Sequence, residues 1–168
     1  MKRILLLIVC TSLIQLATAQ DYTYALGVKA GKFSSGLSGK YFFQTTNSTA
    51  LEANLTFKKN FGTAMVTIFL DKHFPLKNSQ LQIPVDCILG VGVHAAYYKE
   101  GYYKIRDKQI DRYYGEGVSM GVDAKVGLEH PFSFMPLTIG IEACPFYDLV
   151  NPGPEVLELA VLLRYAFN

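Results

Sequence analysis

The last twelve residues of the chain, 157–168, read Leu-Glu-Leu-Ala-Val-Leu-Leu-Arg-Tyr-Ala-Phe-Asn, and this stretch decides the fold class. Every second residue from Leu157 to Phe167 is apolar, and the last two of this set are aromatic. The intervening positions hold both charges, Glu158 and Arg164. Because a β-strand shows alternate residues to opposite faces, one face of this strand is apolar and the other can hold ions. An alternating strand with an aromatic end is typical of a transmembrane β-barrel.

The first 19 residues have the pattern of a cleaved export signal. Lys2 and Arg3 precede the mainly apolar stretch 4–16, and Ala17-Thr18-Ala19 is a small-residue cleavage site. The apolar stretch is shorter than the roughly 20 residues that a membrane-spanning helix needs. The sequence therefore predicts a signal peptide at 1–19 and one mature domain, a transmembrane β-barrel, at 20–168.

The charge of the predicted mature chain argues against one class of partner. Removing Lys2 and Arg3 from the 16 basic residues leaves 14, which balance the 14 acidic residues. A nucleic-acid-binding protein needs an excess of basic surface, so no such partner is expected. No residue pattern indicates a metal or another cofactor. Cys87 and Cys144 fall on different faces of non-adjacent predicted strands, so no disulfide is expected between them.

Eight alternating segments follow one another along the mature chain, separated by turn residues. They are predicted at 22–30, 36–43, 50–58, 63–71, 84–98, 114–129, 136–146 and 157–168. One parity of each segment is apolar, and Glu116 is the single charge on that parity. A Lys or Arg on a lipid face near the midplane costs roughly 2–4 kcal/mol, whereas a soluble barrel carries its charges outside. The sequence therefore predicts an all-β, eight-stranded, antiparallel, up-and-down transmembrane β-barrel.

Charged residues on the opposite parity are expected to meet inside the barrel. They are Lys40, Glu52, Asp123, Lys125, Glu142, Glu158 and Arg164. The bore of an eight-stranded barrel is just wide enough for side chains to fill it, and buried charges must pair because an unpaired one is costly. We expect an ion-pair network that plugs the bore and that joins Glu142, Lys125 and Arg164 on consecutive strands. A narrow, porin-like pore is an alternative use of these charges.

The longest connection, 99–112, follows the fifth predicted strand and is expected on the outer side of the membrane. It is rich in tyrosines and basic residues, and the candidate contact residues are Tyr102, Tyr103, Lys104 and Arg106. Two interpretations stay open. The segment extends the strands beyond the membrane with interfacial tyrosines, or it contacts a glycan, a lipopolysaccharide phosphate or a host protein.

One catalytic arrangement is available on the inward faces. His94 and Ser119 lie on adjacent predicted strands with Asp123 close by, which supplies a base, a nucleophile and an orienting carboxylate. His73 and His130 are expected in periplasmic connections, away from this group. We favour a His94 that bonds to an interior neighbour, and no catalytic residue is assigned. An outer-leaflet enzyme that modifies lipid A, as an acyltransferase or a deacylase does, is the alternative function.

The chain resembles the small outer-membrane β-barrel proteins of the OmpX/OmpA-like kind, especially those of Bacteroidetes-type bacteria. The similarity spans the mature chain and is greatest at 121–167, with Gly127-Leu128-Glu129, Pro136-Leu137-Thr138, Ala143-Cys144-Pro145-Phe146 and Leu163-Arg164-Tyr165-Ala166-Phe167. Asn168 is a departure, because it makes the aromatic residue penultimate.

This resemblance implies a location in the bacterial outer membrane and insertion by the barrel-assembly machinery. The expected surroundings are outer-membrane lipid and lipopolysaccharide, and the expected state is a monomer. The group has no shared activity. The expected role is therefore structural, or an interaction at the cell surface with an extracellular ligand through 99–112.

Overall fold

The computed structural model describes residues 22–43, 48–58, 63–76, 84–99, 102–106, 109–113, 116–150 and 157–167. The predicted signal peptide and the predicted first mature residue, Gln20, lie outside these ranges. No helix in the described part of the chain is long and apolar enough to cross a membrane.

Ten strands run through the described residues: β1 (Tyr24–Gly31), β2 (Ser34–Phe42), β3 (Thr49–Lys58), β4 (Thr63–Pro75), β5 (Asp86–Tyr98), β6 (Tyr102–Arg106), β7 (Gln109–Tyr113), β8 (Gly117–Pro131), β9 (Leu137–Val150) and β10 (Leu157–Phe167). Eight of them form a closed antiparallel barrel, and β6 pairs with β7 in a separate two-stranded sheet. Each barrel strand pairs with the next barrel strand along the chain, and β1 pairs with β10 to close the barrel. The predicted eight-stranded antiparallel barrel is confirmed. Of the two further strands, β6 falls within the predicted connection 99–112, and β7 ends one residue beyond it, at Tyr113.

Sequence alternation decides which side chains enter the barrel. On β10, Glu158 and Arg164 are buried, whereas Leu159 and Leu163 are exposed. The outward positions of the described barrel strands hold apolar, small or hydroxyl residues, apart from His130 and Lys72. Lys72 lies near the end of β4, where its Nζ donates to Ser48 Oγ at 2.7 Å. The barrel therefore has an apolar outside and a charged inside.

β4 is longer than the sequence pattern predicts. It continues to Pro75, which pairs with Asp86 of β5, instead of ending at Asp71. Proline favours a turn, but a strand tolerates it at its end. Backbone pairing with β5 therefore extends β4 as far as Pro75. His73 is therefore a strand residue, 2% exposed, inside the bore. The prediction that placed His73 in a periplasmic connection is wrong.

β8 and β9 both extend beyond their predicted C-terminal ends, because each continues to pair with the other there, whereas β8 begins three residues later than predicted, at Gly117. β8 ends at Pro131, so His130 lies in a strand and not in the predicted turn. Its Nδ1 lies 2.6 Å from the carbonyl oxygen of Pro84. β9 ends at Val150, so Asp148, expected in the next connection, is buried on the inward face of that strand.

Two inward glycines leave space for charged side chains from neighbouring strands. A Cβ on Gly90 would collide with Oδ1 of Asp71 and lie 3.2 Å from Cε of Lys125. A Cβ on Gly121 would lie 2.5 Å from Cε1 of His94. These close approaches explain why the strands carry glycine where the bore is most crowded.

Candidate functional site: the charged bore

Arg164 of β10 is the central cation of the bore and is 2% exposed. Its Nη2 donates to Oε2 of Glu52 at 2.6 Å, and its Nη1 donates to Oε2 of Glu129 at 2.6 Å. Its Nε donates to Oγ of Ser38 at 2.9 Å. These partners belong to β3, β8 and β2, so one side chain links four strands. The guanidinium suits this position because its donors diverge in a fixed planar fork.

Two lysines complete the pairing around these carboxylates. Lys40 Nζ lies 2.9 Å from Oε2 of Glu129 and 3.4 Å from Oε2 of Glu52. Lys125 Nζ lies 3.1 Å from Oε1 of Glu52 and 2.7 Å from Oδ2 of Asp71. Glu52 is thus paired with cations at both oxygens, as burial of a carboxylate requires.

Glu142 of β9 extends this cluster towards the end of the barrel at which β1 finishes. Lys125 Nζ lies 3.9 Å from its Oε2, and Lys29 of β1 forms an ion pair with its Oε1. Glu142, Lys125 and Arg164 therefore lie in one cluster, in which Glu52 stands between Lys125 and Arg164.

At the opposite end of the bore, near the beginning of β1, His73 lies between a lysine and a carboxylate. Lys40 Nζ is 3.3 Å from His73 Nε2, and Asp86 Oδ2 is 3.3 Å from His73 Nδ1. Because an ammonium group can only donate, Nε2 is the acceptor and Nδ1 is the nitrogen that donates to Asp86. The Phe42 ring packs 4.7 Å from the His73 ring and 5.0 Å from that of Tyr22. Aromatic rings therefore cover the charges at this end.

His94 of β5 lies between two carboxylates nearer the other end. Its Nδ1 is 2.9 Å from Oδ2 of Asp123, and its Nε2 is 2.7 Å from Oδ1 of Asp148. Ionised carboxylates only accept, so both ring nitrogens are donors and the ring is a cation. Asp148 pairs with Gly121 in the same register as the rest of the β8–β9 ladder, which places its carboxylate beside this contact, and the register shifts only beyond that pair, between Gly121 and Met120.

The candidate group of His94, Ser119 and Asp123 is not assembled as a catalytic triad. Ser119 Oγ donates to the carbonyl oxygen of Val150 at 2.9 Å. Both nitrogens of His94 are engaged by carboxylates. A histidine that donates from both nitrogens has no lone pair with which to take a proton from a nucleophile. The arrangement favours a fixed cation over a general base.

Glu158 of β10 lies apart from the central cluster, beside the turn between β1 and β2. Its Oε1 accepts from the backbone nitrogens of Phe33 at 3.2 Å and Ser34 at 3.1 Å. It also accepts from Oγ of Ser34 at 3.3 Å. Glu158 therefore links the β1–β2 turn to β10, a strand that does not pair with β2.

The seven candidate interior charges therefore separate into three groups. Lys40, Glu52, Lys125, Glu142 and Arg164 form the central cluster, Asp123 joins His94, and Glu158 binds the β1–β2 turn. Sequence reasoning left out five further buried residues: Lys29, Asp71, His73, Glu129 and Asp148. Lys29, Asp71 and Glu129 have inward parity within the predicted strands, so the sequence alternation alone was enough to find them. The other two lie beyond the predicted strand ends.

Neither a metal-binding cluster nor a disulfide is present among the described residues of the bore. Within the described ranges, no group of three or more His, Cys, Asp or Glu side chains is arranged to hold a metal ion. Cys87 and Cys144 are free thiols, and Cys144 is buried. Their strand positions have opposite parity, so they face opposite sides of the barrel wall.

The candidate contact residues outside the bore, Tyr102, Tyr103, Lys104 and Arg106, belong to β6. Their side chains lie outside the described part of the chain. Tyr98 pairs with Gly117 at the end of the β5–β8 ladder, and Tyr102 pairs with Tyr113 in the β6–β7 ladder. Residues 99–101 and 114–116, equal in number, separate the two ladders. The β6–β7 ribbon therefore keeps the register of the β5–β8 pair.

This fold has a counterpart among solved structures. The crystal structure of the N-terminal β-barrel domain of Pseudomonas aeruginosa OprF matches with a TM-score of 0.62, over 89% of this chain and 99% of that chain. The sequence identity is 12%, so the match establishes the fold, a small OmpA-like barrel, and nothing further. No family model and no curated protein sequence matches the chain.

Proposed function

We propose that this protein is an integral β-barrel of the bacterial outer membrane, with a structural or surface-interaction role and a bore closed by its own charged side chains. The observation that carries the proposal is the division of chemistry between the two barrel faces. Exposed fractions reach 59% at Leu26, 60% at Leu37 and 66% at Val91, all on the outward face. Such a surface would cause aggregation in water, but it matches a hydrocarbon environment.

An aromatic cluster at one end of the barrel supports a membrane interface there. The Tyr24 ring lies 5.1 Å from that of Tyr41 and 5.7 Å from that of Phe167, and Tyr165 lies 6.4 Å from Phe167. Tyrosines are enriched at membrane–water interfaces. This end holds the beginning of β1 and the end of β10, and we assign it to the periplasmic side. The β6–β7 ribbon then extends outside the cell.

The bore supports a plug in preference to a pore. Arg164, Lys40 and Lys125 each contact at least two carboxylates from other strands. The contacts of Arg164 with Glu52 and of Lys125 with Asp71 join strands that are not neighbours, so these side chains occupy space inside the bore that water would need. A narrow porin-like pore is the alternative, and a measurement of ion conductance distinguishes a pore from a plugged bore.

The surface-interaction role is assigned to the β6–β7 ribbon, with Tyr102, Tyr103, Lys104 and Arg106 as its contact residues. Arg106 lies eight residues beyond Tyr98, the end of β5, and an extended strand of that length reaches about 26 Å. Tyrosine and arginine are enriched among residues that carry binding energy. The proposed partner is an extracellular ligand: a glycan, a lipopolysaccharide phosphate or a host protein.

We also propose how the protein is exported and inserted into the membrane. Export by the signal peptide 1–19, insertion by the barrel-assembly machinery and a monomeric state follow from the sequence pattern and from the OmpX/OmpA-like resemblance. The Bacteroidetes-type assignment rests on that resemblance alone.

The test is production of the full chain in a Gram-negative host, followed by membrane fractionation and electrophoresis with and without heating. We expect the protein in the outer-membrane fraction, shortened by its leader, with a folded form that migrates differently from the heated one. A chain that lacks residues 1–19 is the control and should stay in the cytoplasm. Recovery of the full chain from the soluble fraction would contradict the proposal. Lipid A mass analysis tests the enzymatic alternative, which requires a change in lipid A when the protein is present.

A further inference from the structure

A groove of about 490 Å³ crosses the outward face of β8, β9 and β10. Its floor is Ala143 of β9, which lies between Leu159 of β10 and Val126 of β8 in the cross-strand register. Ala30 of β1 and Cys87 of β5 line its two sides. The volume falls within the roughly 300–1,000 Å³ of small-molecule pockets. The recess exists because Ala143 is small where its cross-strand neighbours are large.

The side chain of Lys32 supplies a positive charge next to this groove. The backbone nitrogen of Lys32 donates to the carbonyl oxygen of Leu159 at 2.8 Å, so Lys32 continues the β1–β10 ladder beside the groove. Lys32 is exposed and follows Ala30 by two residues, which gives it the same outward parity. Its Nζ lies 4.9 Å from the centre of the Phe33 ring. Lys32 is in the β1–β2 turn, at the end of the barrel where the β6–β7 ribbon leaves it.

We propose that this groove holds one acyl chain of lipid A, with a lipid A phosphate bound at Lys32. The inference rests on the proposed outer-membrane location. The groove is continuous with the aliphatic outer face, so an acyl chain reaches it without leaving hydrocarbon. A lysine amine is a phosphate-binding group, and a cation near an anionic membrane surface attracts phosphate-bearing lipid. Because the ribbon end is the outer end, the lipid comes from the outer leaflet.

Retention of lipid by the folded barrel tests the groove. The mature chain is folded in detergent with lipid A, and bound lipid is counted by native mass spectrometry. The wild-type barrel should retain one lipid A molecule. Ala143→Phe fills the recess and should abolish retention, whereas Ala124→Phe, at an exposed outward position of β8 outside the groove, should retain it. Equal retention by both variants would overturn the proposal.

The phosphate contact has its own variants. Lys32→Gln should lower the retained fraction about fivefold, the effect of removing one lysine near an anionic surface. Lys72→Gln, at an exposed outward position at the other end of the barrel, should leave retention unchanged. Dephosphorylated lipid A should bind as weakly to the wild type as lipid A does to Lys32→Gln. Phosphatidylglycerol retained as well as lipid A would refute the outer-leaflet source.

The Cys87 thiol reports the position of the chain. In a Cys144→Ala background, a bimane fluorophore on Cys87 should be quenched by lipid A with brominated acyl chains, and Ala143→Phe should relieve the quenching. Retention of a second protein copy in place of lipid would contradict the proposal and make the groove an interface between copies. Folding of each variant is scored separately by the heat-dependent mobility shift. A barrel that folds in lipid without retaining lipid A therefore refutes this inference and leaves the proposed function intact.

Discussion

Arg164 and Glu52 meet across the bore, with 2.6 Å between Nη2 and Oε2, on strands that are not neighbours in the sheet. The contact therefore braces the interior and does not merely reinforce a ladder. Both side chains are almost fully buried. Removing one partner of a buried pair leaves an uncompensated charge, whereas removing both costs less.

Arg164→Met should therefore destabilise the barrel by roughly 3–5 kcal/mol, the usual cost of breaking a buried ion pair from one side. Arg164→Met combined with Glu52→Gln should recover part of that loss. Urea unfolding in lipid vesicles, followed by tyrosine fluorescence, measures both, since the chain contains no tryptophan. An Arg164→Met barrel as stable as the wild type would show that the bore does not depend on this contact.

The plug predicts that the wild-type barrel produces no conductance steps in a planar bilayer. Lys125→Ala removes the cation that Glu52, Asp71 and Glu142 share. The three carboxylates should then admit water and cations, so cation-selective steps should appear. Lys72→Ala, at an exposed position outside the bore, is the control and should stay silent. Steady conductance by the wild type would favour the pore.

The position of an outward-facing charge along β8 should determine how strongly that charge destabilises the folded barrel. Val122→Arg places a cation on the lipid face near the middle of the strand, at a cost of roughly 2–4 kcal/mol. Val118→Arg makes the same change on the same face near the outer end, where the cost falls to about 0–1 kcal/mol. Folding yield into vesicles should drop for Val122→Arg and stay near wild type for Val118→Arg. Equal yields would contradict the lipid-facing assignment.

Trypsin added to intact cells should cut the ribbon next to Arg106 or Lys108, between β6 and β7 in the sequence. Paired strand backbone resists proteolysis, and loop tips are preferred cleavage sites. The expected products are two fragments that remain associated with the outer membrane. Cleavage that requires permeabilised cells would reverse the topology and remove the surface-interaction proposal.

The barrel was predictable from sequence because alternation and charge exclusion agree along the strands, apart from Glu116 and Lys72, which both lie near strand ends. Leu157, Leu159 and Leu163 share one parity and Glu158 and Arg164 the other, so the inward face needed no further information. Strand ends were less predictable. A strand continues for as long as its neighbour supplies ladder partners, which is a property of two strands together.

His73 and Asp148 illustrate this limit. Each lies beyond the point where turn residues suggest that its strand ends, and each is buried in the bore. Asp148 pairs with Gly121 because the β8–β9 ladder continues in an unbroken register past the predicted end of β9, and no local pattern indicates this continuation. The pairing of Arg164 with Glu52 was likewise beyond sequence reasoning, because it depends on depth along the bore as well as on parity.

If the apolar barrel face contacts lipid, spin labels placed along β8 should report that contact position by position. Single cysteines are placed in a cysteine-free background at Val118, Met120, Val122, Ala124, Val126 and Leu128, and each label is exposed to oxygen and to a water-soluble nickel complex. We predict high oxygen and low nickel accessibility, with the largest contrast near Ala124 and a decline towards both ends of the strand. High nickel accessibility at Val122 and Ala124 in a folded barrel would show that this face is in water and not in lipid.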